Sequence, residues 1–138
     1  CHLCSLGRIT ETRIYRTDAG DWEYGTPLVD LQSDSKDYIT TGTLQSFEHL
    51  RDYYGKDNVI PIYLECPDAT RLLRAIAREH TQNNPNFKEV CRRFLSDEDD
   101  YNEFKVSKLI PDKCRYQTSQ SSDNQWIDAI IEDMENHA

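Results

Sequence analysis

Long apolar runs are missing from this chain, and so is any surplus of basic residues. The longest hydrophobic stretch, Val59 to Leu64, falls far short of the roughly 20 residues a helical membrane span requires. No positively charged and then apolar leader opens the sequence, so a soluble, cytosolic protein is expected. Lys and Arg number 16 against 25 Asp and Glu, a formal net charge of −9. That mean field repels nucleic acid and anionic membrane, so neither is an expected partner. An anion can be held only where arginines cluster locally. Glycine and proline are scarce, five of each, and no repeat or biased tract appears, which excludes collagen-like and linker-like organisations. The five cysteines, Cys1, Cys4, Cys66, Cys91 and Cys114, are odd in number and widely spaced after the first pair. Such spacing suits reduced thiols better than a disulfide framework. Cys1 and Cys4 stand close enough to chelate one metal ion. A structural zinc site needs four ligands, however, and no second pair follows at finger spacing, so no metal site is expected.

What is present is a length of 138 residues, enough for one domain with a core but not for two. Ile9 to Arg16 alternates, Asp18-Ala19-Gly20 is turn-prone, and Trp22 to Thr26 completes the pattern of a β-hairpin. Tyr38 to Thr43 reads as a short strand. Leu44, Phe47, Leu50 and Tyr54 then recur at helical spacing until Gly55. Val59 to Cys66 is a near-continuous apolar run, the mark of a central, parallel strand. Asp68 is the expected N-cap of a helix with Leu72, Leu73, Ile76 and Ala77 on one face. Another helix is expected from near Pro85, with Phe87, Val90, Cys91, Phe94 and Leu95 on one side. Its acidic run, Asp97 to Asp100, reads as a solvated face rather than a cation site. Cys114 to Thr118 is a further strand, and Trp126, Ile127, Ile130, Ile131 and Met134 form a C-terminal amphipathic helix. Alternating strands and helices imply an α/β fold with a largely parallel sheet flanked by helices.

Taken in order, Gly7-Arg8-Ile9-Thr10-Glu11, Tyr24-Gly25-Thr26, a strand followed by Gln45, an apolar strand ending at Pro67, and Arg74, Arg78 and Arg93 resemble guanylate kinase. That family belongs to the P-loop nucleoside monophosphate kinases, and the resemblance runs from Gly7 to about Met134. It implies a P-loop kinase-like core, a small β-rich GMP-binding subdomain near the N-terminus and a helical lid. Residues 1–138 would form part of one such domain: 7–26 the GMP-binding segment, 38–80 core strands and helices, 81–100 the lid, and 105–138 the C-terminal strand and helix. The implied activity is transfer of phosphate from ATP to GMP, giving GDP and ADP. ATP and Mg2+ are the cofactors of the intact enzyme, with no protein ligands for them evident in this chain. GMP is the implied partner, and a homodimer is open to it.

By the same resemblance Glu11 reads guanine, Tyr24 and Thr26 bind the GMP phosphate, and Arg74, Arg78 and Arg93 close on the transferring phosphoryl group. The chemistry agrees. Guanine presents a ring N–H and an exocyclic amino group side by side, so one carboxylate accepts both bonds, a donor pair adenine lacks. Guanidinium groups stabilise the charge that develops on phosphoryl oxygens. Plainer readings stand beside these. Glutamate in an alternating segment usually faces solvent, Tyr-Gly-Thr is a common strand end, and helical arginines pair with neighbours such as Glu79 or Asp68.

Two departures from the family pattern bear on function. The Gly-x-x-x-x-Gly-Lys-Ser/Thr loop that cradles ATP phosphates is absent from these 138 residues, where the one Gly-Lys, Gly55-Lys56, is followed by Asp57. The resemblance therefore implies a phosphate-loop strand upstream of Cys1 in an intact kinase. At the end of the Tyr38 strand the family places aspartates, whereas Thr41 and Thr43 stand here; Thr43 is the remaining candidate for a GMP contact. A different class of function also fits, a catalytically inactive guanylate kinase-like domain that binds nucleotide or phosphopeptide. A third is an interaction protein stabilised by metal at Cys1 and Cys4.

Overall fold

The alternating N-terminal segment pairs with itself. In the computed structural model, which describes residues 9–17, 20–27, 37–118 and 125–136, β1 (Ile9–Thr17) and β2 (Gly20–Pro27) form an antiparallel hairpin. Thr17 opposite Gly20 closes it across a two-residue connection, and a bulge interrupts the register between Ile9 and Glu11. The chain divides into two compact units, Cys1–Ile60 and Pro61–Ala138.

In the first unit the hairpin is followed by α1 (Leu44–Tyr54), the helix expected there. The strand expected at Tyr38 to Thr43 is not formed: residues 37–43 carry no regular secondary structure and have no paired strand among the described residues. Helix capping draws this segment away from a ladder. Thr43 is the N-cap, its Oγ1 accepting from the Ser46 N–H at 3.2 Å, while the Thr43 N–H donates to Ser46 Oγ at 3.3 Å. Gly42 lies so close to this turn that a Cβ on it would sit 2.9 Å from Ser46 Cβ. The helix ends where Gly55, at φ 94° in the region L side chains avoid, donates its N–H to Arg51 O.

The second unit is mostly helical with one small, two-stranded parallel sheet, an arrangement compatible with an α/β fold. β3 (Tyr63–Glu65) pairs in parallel with β4 (Arg115–Gln117), and Thr118 extends the ladder by donating its N–H to Glu65 O. The apolar run from Val59 is thus longer than the strand. Pro61 has no N–H to give, and pairing begins only after it. Leu64 in β3 and Ile62 just before the strand are exposed.

The helix α2 (Asp68–His80) starts one position earlier than expected, Asp68 being its first residue rather than its N-cap. Pro67 occupies the N-cap without a side-chain bond, and Asp68 sits in the first turn, where its negative charge complements the helix dipole. The next helix, α3 (Phe87–Asp100), is capped by Asn86, whose Oδ1 accepts from the Glu89 N–H. Polar links tie these two helices together. Glu79 accepts from the Asn86 N–H at 2.6 Å, Arg71 pairs with Glu98, and the Arg71 guanidinium lies 4.6 Å from the Phe94 ring centre. These links turn α2, so Leu72 is half-buried with Arg71, Ala75 and Glu79, while Leu73, Ile76 and Ala77 of the expected apolar face are exposed. In α3 likewise Val90 and Phe94 are half-buried and Phe87, Cys91 and Leu95 exposed.

A short helix, α4 (Glu103–Leu109), had no counterpart in the sequence reading; it supplies Val106, which with Ile110 and Cys114 is buried in this unit among the described residues. Finally α5 (Gln125–Glu135), the expected C-terminal helix, is joined to β4 by the Tyr116 hydroxyl donating to Asp133 Oδ2 at 2.6 Å. No helix among the described residues is long and apolar enough to cross a membrane.

Candidate functional site

Strand register determines what the first unit can present. Glu11 stands opposite Thr26, and Arg13 opposite Tyr24, in an uninterrupted stretch of the hairpin. Cross-strand partners share a face and positions two apart return to it, so Glu11, Arg13, Tyr24 and Thr26 occupy one face of the ladder. All three hairpin positions assigned to GMP therefore fall together. Arg13 had no role in the sequence reading, although its place two residues beyond Glu11 in an alternating strand was a usable signal. Thr43 lies elsewhere in the same unit, at the α1 N-cap. Its hydroxyl is shared with Ser46, the two oxygens being 3.0 Å apart.

The arginines belong to the second unit. Arg74 and Arg78 are one turn apart on α2 and both are exposed. Arg74 Nη1 approaches Cys66 Sγ at 3.6 Å, and Arg78 has no ion pair among the described residues. Arg71 continues the same stripe toward the helix start, but it is tied to Asp68 at 3.2 Å and to Glu98. On α3, Arg93 Nε donates to Glu89 Oε1 at 2.9 Å, and Arg92 grips the same carboxylate with Nε and Nη2, each at 2.7 Å. Hydrogen bonding from Arg92 is the largest influence on Glu89, and with Arg93 it holds the carboxyl at about 2, well below its ordinary range. Neighbour pairing thus holds for Arg93, through Glu89 rather than Glu79 or Asp68. Arg92 was missed by sequence reasoning; only its adjacency to Arg93 pointed to it.

The segment around Gly55-Lys56 does not fit ATP phosphates. Gly55 closes the end of α1 and Lys56 begins a 3-10 turn, Lys56–Asn58, so no row of backbone N–H groups opens onto a helix start there. Cys66, Cys91 and Cys114 are free thiols. Cys1 and Cys4, the pair considered for metal, lie outside the described residues, as do Gly7 and Arg8. Among the described residues no group of three or more His, Cys, Asp or Glu is arranged to hold a metal ion. No protein-family model, curated protein or solved structure matches this chain.

Proposed function

We propose that this chain is the GMP-binding and phosphoryl-clamping portion of a guanylate kinase-like nucleoside monophosphate kinase. The hairpin register carries the reading: positions 11, 24 and 26, whose residue types are the three chemistries needed for guanine and phosphate, fall on one face of the β1–β2 ladder. Glu11 accepts the two adjacent guanine donors. Tyr24 and Thr26 give neutral hydroxyl donors to the GMP phosphate, and Arg74, Arg78 and Arg93 neutralise the phosphoryl group in transfer. Two further features support a P-loop kinase-like core. The β3–β4 pair is parallel, and Leu64 of β3 is left exposed, whereas parallel strands normally sit in larger sheets covered on both sides.

The test is calorimetric titration of GMP, AMP and guanosine into the protein and two variants. Glu11→Gln turns one acceptor oxygen into a donor facing another donor. GMP binding should weaken by at least about tenfold, the equivalent of 1.4 kcal/mol, with AMP unchanged. Tyr24→Phe should weaken GMP and spare guanosine, since the hydroxyl is assigned to the phosphate. Equal losses for GMP and AMP in Glu11→Gln would mean that the glutamate does not read the base.

A further inference from the structure

The grip of two adjacent arginines on one glutamate is more than helix decoration. Glu89 occupies the third position of α3, where a glutamate ordinarily reaches back to the N-cap backbone N–H. Here that N–H, on Asn86, is already held by Glu79 of α2. Glu89 turns forward instead, and its two oxygens accept three bonds from Arg92 and Arg93, all within 2.9 Å. The carboxylate is the sheltered member of the trio, 18 % exposed against 42 % for Arg92 and 68 % for Arg93. A bidentate guanidinium grips phosphate oxygens in the same fork geometry as carboxylate oxygens. The two guanidinium groups thus hold a carboxylate in a geometry that phosphate oxygens could also take, in a protein whose net charge is −9.

We propose that Arg92 and Arg93 form a phosphate-binding pair and that Glu89 is its resident, displaceable counter-anion. The pair extends the phosphoryl clamp to Arg92, and its assignment to a transferred phosphoryl group rests on the kinase reading above. Glu89 does two things. It holds both guanidinium groups side by side while no phosphate is present, which suppresses their mutual repulsion. It also sets a threshold, because an entering phosphate must outcompete a carboxylate already tethered to the helix. A weakly charged or singly hydrogen-bonding anion fails that competition, and a phosphate with several free oxygens succeeds. Glu89 is a positioning residue in this scheme, acting on ligand through the arginines. Protonation does not release it at neutral pH, since its carboxyl is held near 2; ligand does.

The experiment uses the complete chain and inorganic pyrophosphate, followed by calorimetry and by the Nε–H resonances of Arg92 and Arg93. Pyrophosphate should shift both resonances. Glu89→Gln removes the competing charge, and affinity for pyrophosphate should rise at least threefold. Arg92→Lys keeps the charge but loses the fork, and affinity should fall at least threefold. Asp99→Asn, which removes one negative charge elsewhere on α3, should leave binding unchanged. Affinity that is unaltered or lower in Glu89→Gln overturns the proposal, as does an equal gain in Asp99→Asn. Should Glu89→Gln lose helix by circular dichroism, the Arg92→Lys titration and the wild-type arginine resonances decide alone. These outcomes are separate from the Glu11 titrations: guanine selectivity could fail while the arginine pair still exchanges Glu89 for pyrophosphate, and the reverse.

Discussion

The polar bonds of single residues do much of the work of the small apolar core in the second unit. Arg115, on β4, donates to Glu65 on β3 and reaches Glu103 of α4 with two nitrogens at 2.7 and 2.8 Å. Its bonds to Glu103, and then to Glu65, push its guanidinium pKa above the ordinary value. Glu65 also accepts from Gln117, so one carboxylate closes the sheet end. Tyr116 is the residue whose contribution can be isolated most cleanly. Burial first, and then its bond to Asp133, raise its phenol from 10.0 to about 12. A folded-state pKa above the unfolded one means the folded chain holds that proton more tightly. The stabilisation is therefore complete below pH 10 and fades as pH rises toward about 12. Tyr116→Phe should cost about 1.5 kcal/mol at neutral pH, the lower end for a bond to a charged group. Urea unfolding measured from pH 7 to 12 should show wild type declining above pH 10 and the variant declining less. Parallel curves would show that Tyr116 and Asp133 do not interact in solution.

At the scale of elements, capping decides more than propensity does, and Thr43 is the case that joins fold to site. Thr43→Ala removes the acceptor for the Ser46 N–H and should destabilise the protein by about 1 kcal/mol. Thr43→Ser keeps that acceptor and should stay within a few tenths of wild type, as read by urea unfolding. If both variants unfold like wild type, the cap contributes nothing. Hairpin, helices and parallel pairing were legible because each has a local signature: alternation in Ile9 to Arg16, helical spacing from Leu44 to Tyr54, and apolar density around Tyr63. The Tyr38 segment was misread because β-propensity in Thr41 and Thr43 looks the same whether the chain pairs or caps; only the Ser46 contact separates them. The face of α2 was misread for a related reason. Apolar spacing selected Leu73 and Ile76, but Arg71 and Glu79 bind α3 through ionic and hydrogen bonds that a hydrophobic pattern does not encode. Helix α4 is too short to show periodicity, and its only signals were Asn102 ahead of Glu103 and Pro111 beyond its end. Of the candidate site, the hairpin alternation already implied that Glu11, Tyr24 and Thr26 share a face only if the register was known, and a shift of one residue would have separated them. The bond from Arg93 to Glu89 was readable in outline from their spacing of four, whereas the part of Arg92 was not.

Across the whole molecule the proposed chemistry divides between the two units, with base reading on the hairpin and phosphoryl clamping on α2 and α3. Among the described residues neither unit supplies a site for the phosphates of ATP. Their binding needs several backbone N–H groups converging at a helix start, with a lysine reaching the outer phosphates. The starts of α2, α3 and α4 are engaged otherwise: Asn86 and Asn102 cap α3 and α4 with their own side chains, and Asp68 places negative charge in the first turn of α2. Gly55-Lys56 belongs to a helix end instead. Guanine selectivity and turnover should therefore come apart in these 138 residues. The protein should bind GMP in preference to AMP, yet form no ADP from ATP when GMP is added. A coupled assay for ADP measures the second quantity directly, and Arg78→Met serves as its control because Arg78 is exposed and carries no ion pair among the described residues. GMP-dependent ADP formation by the wild-type chain that disappears in Arg78→Met would be genuine catalysis. It would show that phosphates are cradled by groups other than a glycine-rich loop, and the division between base reading and turnover would have to be abandoned.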